Sequence, residues 1–95
     1  MKALVFSSRS KTEIKEIVDY LIDKWSVRIS EKFIEKLKVN LDLIQESPEL
    51  FPKSTRSNYH KCVVTKQVTI FYRFDHQKIY IVSVFDTRQN PKRIN

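Results

Sequence analysis

The chain has 95 residues, with 18 Lys and Arg against 11 Asp and Glu, one cysteine and no glycine. That size fits a single domain, 1–95, around a modest core. No apolar run approaches the ~20 residues that cross a bilayer, one cysteine forms no internal disulfide, and a glycine-rich phosphate loop is excluded outright.

Ala3 to Phe6 reads as a brief strand, too short to stand without a larger sheet. Lys2 to Phe6 is also too short for a signal peptide, and the free thiol suits a reducing cytoplasm. Ser10-Lys-Thr-Glu13 has capping-box spacing and predicts a helix start. Ile14, Ile17, Val18, Leu21, Ile22 and Trp25 then recur at the helical interval. Ser26 or Ser30 can cap a second helix, with Ile29, Phe33, Leu37, Leu41 and Ile44 along one face, while Val39 and Leu43 drift off it. Pro48 ends that helix near Ser47. The few residues between the two predict a helical hairpin.

Pro48 to Asn58 form the one long connection, and it is basic. Three strands follow: Tyr59 to Val64, Val68 to Phe74 and Lys78 to Phe85, each rich in β-branched and aromatic residues. Thr65-Lys-Gln67 and Asp75-His-Gln77 suit tight turns, which makes an antiparallel meander. Without glycine, any positive-φ position falls to Asn58, Asn90, Asp75 or His76. Pro91 closes the strand region. The expected fold is α+β: an N-terminal strand, then a helical hairpin on one face of an antiparallel sheet that the three-strand meander completes.

Charge is distributed unevenly. Residues 1–49 hold nine Lys/Arg and nine Asp/Glu, so the net +7 lies wholly in the second half. Such a field favours a polyanion or an acidic protein partner. Alternation along the middle strand puts Val68, Ile70, Tyr72 and Phe74 under the helices, and Thr69, Phe71 and Arg73 outward. His60, Cys62 and Val64 are expected on that outward face too. Apolar groups there, beside cations, mark a protein-docking surface.

The strand–helix–helix–three-strand order resembles the RelE/ParE toxin superfamily of bacterial type II toxin–antitoxin modules. Glu46-Ser-Pro48, Ile70-Phe-Tyr-Arg73 and Val82-Ser-Val-Phe-Asp-Thr-Arg-Gln-Asn-Pro91 carry the likeness. It implies a toxin neutralised in a heteromeric complex by a cognate acidic antitoxin that wraps its working face, as in plasmid-stabilising systems. RelE-like members are ribosome-dependent mRNA endoribonucleases; ParE-like members act on DNA gyrase and lack the catalytic set. Where the ribonucleases place two lysines on the first meander strand, this chain has His60 and Cys62. Where they place an arginine on the middle strand, it has Thr69. Arg88 alone remains of the arginine after the last strand, so the resemblance is closer to ParE.

Three readings follow. The first is a growth-inhibiting toxin that binds an essential target such as DNA gyrase. Its target contacts would come from Lys53, Arg56, Lys61, Arg73, Arg88 and Gln89, and its antitoxin contacts from Cys62, Val64, Phe71 and Phe85. The second is an mRNA endoribonuclease with His60 as base and Arg73 and Arg88 on the phosphate. The third is a degenerate homologue that binds antitoxin without toxicity. No cofactor or membrane is expected. No metal is expected either, because His60 and Cys62 are two ligands without a further cluster.

Overall fold

The computed structural model describes residues 1–88. Strand β1 (Ala3–Phe6) leads to helices α1 (Ser8–Lys24) and α2 (Val27–Glu46), then a 3₁₀ turn, Pro48–Leu50. Strands β2 (His60–Val63), β3 (Val68–Phe74) and β4 (Lys78–Asp86) complete a four-stranded sheet in the order β1-β4-β3-β2. The meander is antiparallel, as expected. β1 adds to β4 in parallel, with Ala3 opposite Lys78 and Phe6 opposite Ile81, so the whole sheet is mixed. A parallel join is what a long crossover through two helices permits and a hairpin does not.

Both helices begin on a serine outside the first turn. Ser7 caps α1: its hydroxyl oxygen accepts the Ser10 N–H at 2.9 Å and its O–H donates to the Val82 carbonyl at 2.8 Å. The start therefore lies three residues before the one predicted at Ser10. Ser10 and Glu13 are buried instead, and the Glu13 carboxylate faces β4 rather than the helix start. Ser26 caps α2 by accepting the Ile29 N–H at 3.1 Å. Ile17 and Leu21 of α1 and Phe33, Leu37, Leu41 and Ile44 of α2 share the core with Val68, Ile70, Tyr72, Ile79, Ile81 and Val84. Ile22, Trp25 and Ile29 lie outside it, exposed around the tip of the hairpin.

The turns manage without glycine. No described residue has a positive φ, which corrects the expectation for Asn58, Asp75 and His76; Asn90 lies outside the described residues. Side chains close the chain reversals. Thr65 Oγ1 accepts the N–H groups of Gln67 and Val68, and Asp75 Oδ1 accepts those of Gln77 and Lys78. Each mimics a backbone turn with a short polar side chain. The Asp75 carboxyl is held below the usual range, first by the Lys78 and then by the Gln77 N–H.

The Thr65 turn also fixes which way β2 faces. It sets His60 opposite Tyr72, Cys62 opposite Ile70 and the Val64 N–H on the Val68 carbonyl. Residues opposite one another in an antiparallel pair share a face, and Tyr72 and Ile70 face the helices. His60, Cys62 and Val64 therefore lie on the helix side, not on the open face as expected. Cys62 is 1% exposed and Val64 9%. One residue of register separates the two outcomes. Lys61 and the exposed Val63 take the outward positions.

Candidate functional site

The outward face of the sheet carries Lys61 from β2, Phe71 and Arg73 from β3, and Tyr80, Val82 and Phe85 from β4. Phe71, Val82 and Phe85 are half-buried and form the floor of a groove of about 430 Å³. Its walls come from three separated stretches of chain. Arg9 reaches in from the first turn of α1, Arg56 from the loop before β2, and Lys61 from β2 itself. Ser54, Thr55, Ser57 and Tyr59 supply hydroxyls around the same rim.

Backbone pairing holds the loop in place. Ser54 N–H donates to the Tyr59 carbonyl at 2.8 Å, and Lys61 N–H to the Pro52 carbonyl at 2.9 Å. The buried Tyr72 O–H donates to the Pro48 carbonyl at 2.6 Å, which fixes the start of the segment to the core. Burial, with lesser effects from Cys62 and Glu49, pushes the phenol well above its ordinary pKa. Arg9 is held by Glu13, whose carboxylate lies 3.4 Å from Nε. Among the described residues, no carboxylate lies within ion-pair distance of Arg56 or Lys61 and none lines the groove. An apolar floor ringed by cations suits a segment that combines an apolar side chain with acidic neighbours.

The other predicted site residues go elsewhere. His60 lies against Tyr72, with ring centroids 5.3 Å apart, and its Nδ1 is 2.6 Å from the Phe51 carbonyl, so it donates there. It fastens the loop to the sheet. Arg73 lies over the Tyr80 ring at 4.0 Å, on the open face but outside the groove. Arg88 makes a double contact with the buried Asp86, from Nε to Oδ1 and from Nη2 to Oδ2, both at 3.1 Å. It also lies 5.5 Å from the Tyr20 ring and borders the helix side. His60 and Arg88 thus lie toward the helix side, each engaged with its own partners, and Arg73 lies on the open face, so the structure does not bring the three together. Cys62 donates to Asn40 Oδ1 at 3.3 Å, and burial pushes its thiol up to about 11. Lys53 is exposed on the loop, and Gln89 lies outside the described residues. Among the described residues, no three His, Cys, Asp or Glu side chains gather where they could hold a metal ion.

The model of the ParE toxins of type II toxin–antitoxin systems matches residues 4–91. The chain belongs to that ParE toxin family. Solved structures agree on the fold. A chromosomal ParDE system from P. aeruginosa has a chain that superposes with a TM-score of 0.76 at 11% identity, covering 90% of this chain and 96% of that one. The YoeB dimer from Staphylococcus aureus gives 0.62 at 19% identity, covering 88% and 94%. The DinJ–YafQ complex from E. coli gives 0.61 at 11% identity, covering 93% and 96%. Among curated protein sequences none matches significantly.

In this ParE-family toxin the charged groove residue that sequence reasoning missed is Arg9, along with the hydroxyls of the rim and Val82 of the floor. One signal marks Arg9. A basic residue in the first turn of a helix opposes the macrodipole, which favours acids there, and α1 has no acidic residue in that turn. Glu13 offsets the mismatch and aims the guanidinium toward the groove.

Proposed function

We propose that this ParE-family toxin arrests growth by binding an essential target of the DNA gyrase kind without cutting RNA. A cognate acidic antitoxin would silence it by laying a segment across the open sheet face. The antitoxin's apolar side chain sits on Phe71 and Phe85, and its carboxylates meet Arg9, Arg56 and Lys61. The observation that carries this reading is the convergence of three cations on an apolar floor, while the groups a ribonuclease would use are dispersed. Related structures include toxin–antitoxin complexes, DinJ–YafQ from E. coli and YoeB–YefM from Staphylococcus aureus, which supports an antitoxin partner for this chain as well.

Induction of the chain in bacterial cells tests the mode of action. DNA breaks that depend on gyrase, with transcripts intact, are expected. Codon-specific cuts in ribosome-bound mRNA would restore the endoribonuclease reading. Unimpaired growth at full expression would leave only an antitoxin-binding homologue.

A further inference from the structure

A second stripe runs along α2 beside the buried one. Ile29, Lys32, Lys36, Val39 and Leu43 are separated by three, four, three and four residues, and all five are exposed. Val39 is 59% exposed and Leu43 43%. The spacing is that of the seam along which one helix receives another. The core does not need these positions, since Ser30, Phe33, Leu37, Leu41 and Ile44 fill the buried stripe.

The seam has relief on both sides. A concavity of about 510 Å³ lies between Lys32, Lys36, Val39 and Val64, and a smaller one of about 190 Å³ between Ile29, Lys32, Phe33 and Lys36. Lys32 and Lys36 border both. Among the described residues, Glu35 is the one carboxylate on their rims. Lys32 and Lys36 are an i,i+4 pair of like charge, which is unfavourable in an isolated helix, and neither makes an ion pair with a described carboxylate.

We propose that this face of α2 is a second docking surface, for an acidic amphipathic helix of a protein partner. Apolar side chains of that helix cover Ile29 at one end and Val39 and Leu43 at the other, and its carboxylates meet Lys32 and Lys36 in the middle. A second copy of this chain fits poorly, because a two-fold contact along the seam would bring the lysines onto their own equivalents in a chain of net charge +7. A phosphate backbone would leave the apolar ends uncovered. The surface is separate from the sheet groove, so its occupancy does not depend on what fills that groove.

The test uses the full chain and a synthetic helical peptide of about four turns. The peptide carries Leu at both ends of one stripe and Glu at its centre; a second peptide carries Lys in place of Glu. Fluorescence anisotropy should show the Glu peptide binding the wild type, with at least a tenfold weaker association, about 1.4 kcal/mol, for Lys32→Glu/Lys36→Glu. The Lys peptide should bind that charge-reversed variant and not the wild type. Val39→Glu should weaken the Glu peptide, and Phe71→Glu on the sheet groove should not. All these α2 positions are exposed, so melting temperatures should match. No binding of the Glu peptide, equal binding by the reversed variant, or loss on Phe71→Glu alone would each overturn the proposal. So would a single-stranded RNA, a phosphatidylglycerol vesicle or self-association that is abolished by the same α2 substitutions while the peptide is indifferent to them.

Discussion

The Glu13 carboxylate of α1 accepts the Val84 N–H of β4 at 3.0 Å, at a level of the sheet where β1 has already ended. The same oxygen accepts the Ser83 O–H at 2.8 Å, and the other approaches Arg9. A side chain here replaces a missing strand, because a buried N–H without a partner costs free energy. It also couples the packing of α1 to the cation at the groove. Glu13→Ala should destabilise the chain by about 2–3 kcal/mol, since it strands two buried donors. Glu13→Gln should cost less, because its carbonyl oxygen still accepts from both and only the contact with Arg9 is lost. Urea melts of both variants check this; equal loss would mean that only the charge matters.

Tyr72→Phe removes the donor that holds the Pro48 carbonyl. The expected loss is about 1–2 kcal/mol, read as a lower Tm. The basic loop depends on the same anchor, so amide exchange over residues 53–58 should quicken in that variant. A changed Tm with unchanged exchange would separate the anchor from the loop.

Cys62 should resist a thiol reagent such as dithionitrobenzoate in the native state. It is buried, donates to Asn40, and ionises only near pH 11, while the thiolate is the reactive form. Rapid native-state labelling would contradict the placement of β2 with Cys62 inward.

Asp75 closes the last turn as an ionised acceptor. Its folded pKa is depressed, so its contribution is complete above the ordinary value of 3.8 and fades as the pH falls through the lower folded value. Asp75→Asn keeps the acceptor oxygen and should remove part of the acid sensitivity with little loss at neutral pH. Asp75→Ala should lower Tm at every pH. Thermal melts between neutral and strongly acidic pH distinguish the two.

Much of this arrangement can be read from the residues in order. The stripes of α1 and α2 hold a period over many residues, and the β-branched runs of the meander are bounded by polar turns, so local pattern and tertiary packing agree. The face of β2 was not available in the same way. It turns on one residue of register, and the Thr65 hydroxyl decides that register by closing the turn without a glycine. Glu13 has the spacing of a capping carboxylate from Ser10 and becomes an edge cap for β4, since Ser7 takes the capping role. The candidate site was legible in its basic loop and in Phe71 and Phe85. Arg9 was hidden because the start of α1 was expected at Ser10, which left it outside the helix, and because its place in the groove depends on where α1 crosses β4.

The groove on the sheet face is tested most directly by calorimetric titration of the full chain with its cognate antitoxin, comparing wild type with Arg56→Glu/Lys61→Glu. Both side chains are exposed and free of ion pairs among the described residues, so the variant should fold as the wild type does. Affinity should fall by about a hundredfold or more, as expected when charges facing a complementary partner are reversed. An affinity equal to that of the wild type would mean the antitoxin docks elsewhere and the cations around Phe71 serve another end.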